Sequence, residues 1–558
     1  MAFDLLIRNG TVIDGTGSDG VRADIGIRGD RIAEIGDLSG AAAAHTIDAE
    51  GKLVTPGFVD IHTHLDAQFA WDPIATSSCW HGVTSVVLGN CGVTFAPCKP
   101  EDRRYLAELM ESVEDIPRDA ILESLPWDWQ TYGEYLASLG RMPKGVNAGG
   151  MVGHCAVRYA AMGERSLDEK PATPEDIARI CAHVDEAIAA GALGFSTSRT
   201  YMHKVPDGRP VPGTYACDAE MLAIGDVLGR HGRGVFESAP RIGERDSADL
   251  PNTRAEIALL GEISRRSGRP VTFGLTQSFR RPTLYRRVMD FSADENARGA
   301  KLRPQTTARG VSLCFTLAGR TPFDRSPAWR ALAGLSLTEK LAALRARRAE
   351  FCVAPADLPQ LDFAAIYVLD SAPPRYDCKP ENSLAARAER AGVGIVEAFI
   401  DACLATEGRA LLYYPFLNQD LRAVEEMLLD PMIAMGLADS GAHVGQIIDA
   451  SQPTFLLSYW VRERSLMRVE EAIRRLTSDT AQLFGLAGRG VLAPGAFADV
   501  NVIDFDALSL PLPEYVNDFP NGAGRYIQRG SGYDATIVNG ALFMRNGQHT
   551  GALAGRML

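Results

Sequence analysis

The feature that most constrains this chain is a strand and helix alternation that repeats through its centre. Eight short apolar runs alternate with helical stretches, and they end near His64, Cys91, His154, Ser196, Glu237, Thr276, Gln305 and Asp439. This alternation predicts an α/β fold, and eight repeats predict a (β/α)8 TIM-like barrel with its chemistry at the strands' C-terminal ends. A doubly wound sheet is the alternative, but the glycine-rich phosphate fingerprint that would support it is absent after the first strand.

Two of the repeats carry clear helix signals. In "TRAEIALLGEISRRSGRPVTFGL", Thr253 and Glu256 predict a capping box at the start of a helix. In "TPEDIARICAHVDEAIAAGALGFSTS", Pro174 lies just inside the predicted helix start and Gly191 just past its end. We therefore expect a helix before each of the strands that follow.

Both ends of the chain differ from this centre. "FDLLIRNGTVIDG" near the start and "ATIVNGALFMRNGQ" near the end are short β-branched runs broken by Asn-Gly turns, which is typical of antiparallel hairpins. We expect residues 1–56 and 486–558 to build one small β-sandwich, and residues 57–485 to form the barrel. The segment at about 310–418 is too long for one barrel unit and predicts an insertion, part of which should cover the strand ends as a lid.

Composition excludes several classes of function. The chain has 558 residues, 46% of them hydrophobic and 23% charged, with a net charge of −13. This acidic balance argues against nucleic acid or an anionic membrane as a partner. The ten cysteines are scattered and no signal peptide or membrane-spanning run is recognisable, so we expect a cytoplasmic protein with reduced thiols. Homo-oligomerisation is left open.

Three of the strand ends carry groups that can bind a metal. In "GFVDIHTHLDAQF", His62 and His64 lie two apart after a strand, where side chains share one face. Cys91 follows the run "GVTSVVLGN", and Asp439 follows "MIAMGLA". Imidazole, thiolate and carboxylate are metal ligands, and Asp439 could also take a proton from a bound water. The alternatives are loop-edge histidines, a buried structural cysteine and an N-cap aspartate.

These motifs resemble the amidohydrolase superfamily and, within it, the N-acyl-D-amino-acid deacylase (D-aminoacylase) group. "PGFVDIHTHLDAQFAWDP", "HGVTSVVLGNCGVTFAP", "LADSGAHVG" and the terminal "HTGALAGRML" carry the likeness over nearly the whole chain. The resemblance implies a barrel flanked by a β-sandwich and amide hydrolysis at one or two zinc ions, with another divalent metal as the alternative. It also implies that His62, His64, Cys91 and Asp439 are metal ligands.

Two strand ends depart from that group, which has histidine ligands after its fifth and sixth strands. Here "GVFESAP" places Glu237 at the fifth, and "PVTFGLTQSF" places Thr276 or Gln277 at the sixth. Glu237 could replace one histidine as an oxygen ligand, or the metal preference or affinity could differ.

Further candidates follow from the position of other polar residues. His154 at the third strand end is a candidate catalytic group, with a core histidine as the alternative, and His443 is a candidate substrate contact. A free carboxylate on the substrate would favour arginine, which binds it bidentately, so Arg199, Arg303 and Arg309 are candidates. Surface salt bridges are the alternative for each arginine.

Three functions remain at this point. The first is a metal-dependent hydrolase that cleaves the amide bond of an N-acyl amino acid, expected to be D-configured, or of a similar small amide. The second keeps the barrel and metal but opens a cyclic amide or imide. The third is a binding protein with a degraded metal site. Retention of His62, His64, Cys91 and Asp439 favours an enzyme.

Overall fold

The computed structural model of the chain describes residues 2–352 and 358–558, so residues 353–357 of the predicted insertion and residue 1 of the predicted sandwich lie outside the described residues. The strands are β1 (Phe3–Val12), β2 (Val21–Arg28), β3 (Arg31–Gly36), β4 (Ala43–Asp48), β5 (Leu53–Pro56), β6 (Phe58–Asp60), β7 (Val83–Leu88), β8 (Asn147–Gly153), β9 (Gly194–Ser198), β10 (Val235–Ala239), β11 (Val271–Gly274), β12 (Leu302–Thr306), β13 (Val311–Phe315), β14 (Tyr367–Leu369), β15 (Leu411–Leu417), β16 (Ala434–Met435), β17 (Val500–Ile503), β18 (Glu514–Val516), β19 (Arg525–Ile527), β20 (Tyr533–Val538), β21 (Ala541–Arg545) and β22 (Gln548–His549).

The α-helices are α1 (Arg103–Glu114), α2 (Arg118–Ser124), α3 (Tyr132–Arg141), α4 (His154–Met162), α5 (Pro174–Ala190), α6 (Asp218–His231), α7 (Pro251–Ser267), α8 (Leu284–Ala297), α9 (Pro327–Arg330), α10 (Leu337–Ala346), α11 (Arg348–Phe351), α12 (Leu384–Ala391), α13 (Ile395–Ala405), α14 (Leu421–Leu429), α15 (Gln452–Phe455), α16 (Val469–Leu476) and α17 (Ser478–Phe484). A π-helical stretch, Leu456–Glu463, follows α15 directly. Among these described segments, none is both long and apolar enough to cross a membrane.

The central sheet is the predicted barrel. β6 to β12 pair in sequence order, all parallel, and β16 pairs with β12. A parallel bridge between Thr63 and Ser440 joins the segments after β6 and β16, which nearly closes the ring. Strands such as β7, whose six residues are all buried, are covered on both faces, as parallel strands in barrels are. The (β/α)8 prediction is confirmed.

The helix signals give one confirmed prediction and one correction. α5 begins at Pro174, with Thr173 accepting from the Asp176 amide, and Gly191 caps its end. The predicted capping box of α7 is wrong, because this helix begins at Pro251 and Thr253 lies inside its first turn. The Thr253 hydroxyl donates to Asp246 instead.

The two termini build a β-domain outside the barrel, as predicted. A nine-stranded sheet runs in the order β22-β21-β20-β17-β5-β1-β2-β3, and β4 pairs with β1. The N- and C-terminal halves join where β5 pairs antiparallel with β17, so Val54 faces Val502. Alternating buried residues form the core of this domain, including Ile7, Ile25 and Ile537. The exact limits 1–56 and 486–558 stay a prediction.

The segment between β12 and α14 forms a unit of its own on the barrel. β13, β15 and β14 make an antiparallel sheet, which packs with α9 to α13 around a separate apolar core. This insertion contacts the loops that follow barrel strands: Asn418 exchanges hydrogen bonds with Gln277, and the Cys314 amide donates to the Gln446 carbonyl. It therefore lies at the end of the barrel where the strands terminate.

Candidate metal centre

Four of the predicted site residues converge at the C-terminal ends of β6, β7 and β16. His62, His64 and Cys91 each present one ligand atom, and these atoms all lie within 4.8 Å of one another. Asp439 Oδ1 lies 3.1 Å from His62 Nε2 and 3.7 Å from His64 Nε2. The histidines are 1% exposed, whereas the Asp439 side chain is 20% exposed. The cluster is thus buried on the barrel side and open at Asp439.

The loop after β7 places Cys91 in this cluster. Cys91 adopts a left-handed conformation (φ 54°) between Gly89 and Gly92, which also have positive φ. A Cβ at Gly92 would lie 2.7 Å from the Ser198 amide nitrogen, so only glycine lets this loop approach β9. Asn90 Nδ2 donates to the carbonyls of Thr63 and Val87 and ties the loop to the histidine segment. These contacts bring the Cys91 thiol to 3.5 Å from His62 Nε2.

The segment that follows β16 and closes the barrel positions Asp439 beside the two histidines. The His64 amide donates to the Ser440 carbonyl at 2.7 Å, and the hydroxyls of Ser440 and Ser78 are 2.6 Å apart. Asp439 itself has a positive φ of 45°. Such a conformation costs free energy in a non-glycine residue and persists where surrounding contacts impose it, often at functional sites. The turn directs the carboxylate towards both imidazoles.

Two further carboxylates border the cluster. Glu237 on β10 is fully buried, and its Oε2 accepts the Cys91 amide at 3.1 Å. Glu114, the last residue of α1, is 3% exposed and places Oε1 3.5 Å from His64 Nδ1. Sequence reasoning missed Glu114, since it lies at the end of a helix and not at the end of a strand.

The charges of these groups are strongly coupled. Burial by itself would lower the pKa of His62, but Asp439 and Glu237 raise it to about 9. Burial lowers the pKa of His64 to about 4. For Asp439 burial would raise the pKa, but His62 and His64 hold it well below its usual range. Burial, Glu237 and other carboxylates raise the pKa of Cys91 far above normal. A cation among these groups would favour the thiolate and the carboxylates.

The donor set fits zinc. Two imidazoles, a thiol and a carboxylate are the ligand types that zinc takes in proteins. Several buried atoms here lack a hydrogen-bond partner in the described part of the chain: His62 Nδ1, both ring nitrogens of His64, and Glu237 Oε1. Buried polar atoms are normally satisfied, and a metal ion held here would satisfy His64 Nε2 and Glu237 Oε1.

His154, predicted as a catalytic group with a core histidine as the alternative, has protein partners on both ring nitrogens. It is fully buried, with Nδ1 2.8 Å from Thr197 Oγ1 and Nε2 2.9 Å from Glu220 Oε1. Glu220 also accepts from Arg158 Nε at 3.0 Å. Both ring nitrogens are therefore engaged by protein groups, which favours the core-histidine alternative.

Arg199, predicted as a substrate contact, forms an ion pair with a protein carboxylate, which favours the salt-bridge alternative. Its guanidinium donates to both carboxylate oxygens of Glu256 at 2.7 and 3.0 Å, and the two side chains are 3% and 4% exposed. Glu256 is the residue for which the sequence suggested a capping role. The pair anchors the end of β9 to α7.

Breaking this pair should destabilise the fold without weakening substrate binding. We expect Glu256→Gln to lower the free energy of unfolding by about 3–5 kcal/mol, because it leaves a buried guanidinium uncompensated. Urea unfolding measures this change. Glu262→Gln on the same helix, at a side chain 47% exposed, is the control and should change stability by less than about 0.5 kcal/mol. A Glu256→Gln variant that is as stable as wild type but has a raised KM would instead support Arg199 as a substrate contact.

The other two arginines are also occupied by protein. Arg303 Nε donates to the carbonyl of Met432, which precedes β16, so its side chain lies at the opposite end of the barrel from the cluster. Arg309 is fully buried, donates to Ser451 and Tyr413, and lies 3.7 Å from Asp449. Arg309 thus joins the barrel to the insertion. For both arginines these contacts favour a structural role over the predicted substrate contact.

Two histidines remain at the mouth. His443 follows Asp439, keeps a side chain 37% exposed and has Nε2 3.7 Å from Glu114 Oε2. His203, which sequence reasoning missed, follows β9. Its Nδ1 forms a hydrogen bond of 2.8 Å with Ser198 Oγ. Burial lowers the pKa of His203 to about 4, and the charges of His443 and His64 add to this. A histidine five residues past a strand end was the only signal.

The sixth strand end contributes no ligand-type side chain to the cluster. Gln277 Oε1 accepts the Asp420 amide, and the Gln277 amide donates to Asn418 Oδ1, so this side chain faces the insertion. Thr276 is half-buried two residues past β11. Among the described residues, the fifth strand end therefore offers an oxygen ligand in Glu237 and the sixth end offers no histidine.

Comparison with known proteins gives a consistent result. The chain matches the model of the amidohydrolase family over residues 45–543. It is 30% identical over 567 residues to a D-aminoacylase of Alcaligenes xylosoxydans xylosoxydans, covering 100% of this chain and 97% of the relative.

Solved structures agree. A D-aminoacylase with a binuclear metal centre, in which one metal activates and a second attenuates, superposes with a TM-score of 0.67 at 26% identity, over 100% of this chain and 99% of the other. The N-acyl-D-glutamate deacylase of Bordetella bronchiseptica, complexed with zinc and a phosphonate inhibitor that mimics the tetrahedral intermediate, also has a TM-score of 0.67, at 25% identity and 100% coverage of both chains.

Proposed function

Because this chain belongs to the amidohydrolase family, we propose that it is a zinc-dependent hydrolase that cleaves the amide bond of N-acyl-D-amino acids. One observation carries the proposal: ligand atoms of His62, His64 and Cys91 lie within 4.8 Å of one another at the strand ends of a barrel. Full-length similarity to a D-aminoacylase supports the substrate class. The chain is thus an enzyme acting on amide C–N bonds.

The residues of the cluster suit this reaction. Zinc, when bound by His62, His64, Cys91 and Asp439, would lower the pKa of a water molecule and polarise the amide carbonyl. Asp439, held ionised beside the two imidazoles, accepts the proton of the attacking water. It then delivers this proton to the amide nitrogen, which must be protonated because an amide anion is a poor leaving group. The 20% exposure of Asp439 lets it reach both water and substrate.

Glu237 is proposed as a further oxygen ligand. Its unpaired Oε1 is buried at the fifth strand end, next to Cys91, whose amide donates to Oε2 of the same carboxylate. Burial raises the pKa of Glu237 to about 7, so a cation nearby would stabilise its charged form.

The insertion is proposed as the lid of the site. Arg320 in the insertion makes two hydrogen bonds to loops at the cluster. It donates to Asp115 Oδ1 at 2.8 Å, and Asp115 directly follows Glu114. It also donates to Gln446 Oε1 at 3.2 Å, three residues beyond His443. These contacts span loops on two sides of the cluster. Such a cover would exclude water and select substrate.

The ten cysteines are free thiols in the structure, which supports a reducing compartment such as the cytoplasm. The net charge of −13 supports a small-molecule substrate and no nucleic-acid partner.

A substrate screen tests the proposed function. Zinc-loaded protein should release amino acid from N-acetyl-D-amino acids in a panel with apolar, acidic and basic side chains, and the matching L-compounds should react more slowly. Elemental analysis should find zinc in stoichiometric amount. Hydrolysis of hydantoin or dihydrouracil with no reaction on any N-acyl amino acid would instead favour the cyclic amide function, and a metal-free, inactive protein would favour a binding protein.

A further inference from the structure

Glu114 holds an unusual place beside the cluster. It ends α1, and its backbone carbonyl accepts the amide of His443, so the end of this helix is joined to the loop after β16. Its side chain is 3% exposed and points towards the histidines. A carboxylate at this depth is costly unless it has a charged or hydrogen-bonding partner.

The two carboxylate oxygens face two different imidazoles. Oε1 lies 3.5 Å from His64 Nδ1, and Oε2 lies 3.7 Å from His443 Nε2. In the described part of the chain, neither His64 Nδ1 nor Glu114 Oε1 has a hydrogen-bond partner. At a separation of 3.5 Å, a small movement completes a hydrogen bond between the two atoms.

The orientation of His64 explains what this bond would do. Its Nε2 faces Asp439 Oδ1 at 3.7 Å, so Nε2 is the nitrogen on the side of the cluster. A histidine that binds metal through one nitrogen usually donates its other N–H to a carboxylate, carbonyl or water, which fixes the tautomer and the ring orientation. Glu114 lies on the Nδ1 side.

The position of Glu114 is itself held by the insertion. Asp115 follows in a left-handed conformation (φ 53°) and accepts from Arg320 at 2.8 Å. Arg320 also donates to Gln446, three residues beyond His443. The insertion therefore fastens the end of α1 against the loop that carries His443.

We propose that Glu114 is the positioning residue of this centre, orienting His64 through Nδ1 for metal binding and holding His443 at the mouth. This inference rests on the proposed zinc site and adds a role that lies outside the ligand set. The contacts of Arg320 link this positioning of Glu114 to the insertion.

The test compares Glu114→Gln and Glu114→Met with wild type by zinc affinity and by the absorption spectrum of the cobalt(II)-substituted protein. Gln keeps an oxygen that can accept from Nδ1, whereas Met keeps length without an acceptor. We expect zinc affinity to fall in the order wild type, Gln, Met, with a loss of about 10–100-fold for Met, and the cobalt spectrum to change. Glu111→Gln, at an exposed position one turn earlier on α1, should match wild type.

The readouts separate this inference from the proposed function, since zinc affinity and the cobalt spectrum need no substrate. Inactivity on every N-acyl amino acid would count against the function and leave the expected order of affinities intact. Equal zinc affinities and cobalt spectra in wild type, Glu114→Gln and Glu114→Met would overturn the role of Glu114. Thermal unfolding of each metal-free variant identifies any loss of fold. If the Met variant does not fold, the Gln variant, which matches glutamate in shape, provides the comparison with wild type.

Discussion

Replacing Asp439 with asparagine should lower kcat by about 10²–10⁴-fold while most of the zinc stays bound. Asparagine keeps the shape and one oxygen ligand, but it cannot accept the proton of the attacking water or return it to the leaving nitrogen. His62, His64 and Cys91 remain within 4.8 Å of one another and still hold the metal. Steady-state kinetics on the best N-acyl-D-amino acid, with elemental analysis of the same sample, measures both quantities.

The same substitution on the protein surface is the control for Asp439. Asp294 is exposed on α8, and Asp294→Asn should have the kcat and zinc content of wild type. An Asp439→Asn enzyme with near-normal kcat and full zinc would show that another group acts as the base. His443, half-buried at the same mouth, would then be the next candidate, because His154 has both ring nitrogens engaged.

Removal of His62 should have an equally large effect by a different route. His62 Nε2 lies 3.1 Å from Asp439 and 3.5 Å from the Cys91 sulfur, so it is the group in contact with the other two ligand types. We expect His62→Ala to lose stoichiometric zinc and to fall to the activity of protein treated with a chelator. Zinc added back should restore the chelated wild type and should leave the variant inactive.

Substitutions of two other histidines provide the comparison for His62→Ala. His45→Ala, at an exposed position on β4, should leave zinc content and activity unchanged. His154→Asn should keep its zinc but lower the free energy of unfolding by about 1–3 kcal/mol, because buried hydrogen bonds to Thr197 and Glu220 are lost. If His154→Asn lost its zinc while His62→Ala retained it, the two assignments would have to be exchanged.

The barrel and the positions of its strand ends were predictable from sequence because they depend on local pattern. Buried parallel strands need continuous apolar runs, and the helices between them need their own periodicity and end signals, so both can be read a few residues at a time. The eight predicted strand ends correspond to β6–β12 and β16. Parallel strands bring their C-terminal ends to one edge, so His62, Cys91 and Asp439 were expected together although they are far apart in the chain.

The partners of each polar side chain could not be predicted in the same way. His154, Arg199 and Arg309 follow strands as the cluster residues do, yet each is held by a group from a distant segment: Glu220 for His154, Glu256 for Arg199, and Asp449 with Tyr413 for Arg309. Arg303 differs, since its place near the start of β12 directs it to Met432. A buried charge is satisfied by whatever the packed fold brings near it.

By itself, therefore, the sequence determined the barrel, the β-domain from both termini and the strand-end residues of the cluster, since short-range periodicity specifies each of these. Only the tertiary structure decided which polar residues serve the site and which serve the fold. Glu114 shows the reason: it reaches His64 because α1 ends beside the loop of His443, and Arg320 from the insertion pairs with the adjoining Asp115. Those contacts join segments up to more than three hundred residues apart, and no local pattern encodes them.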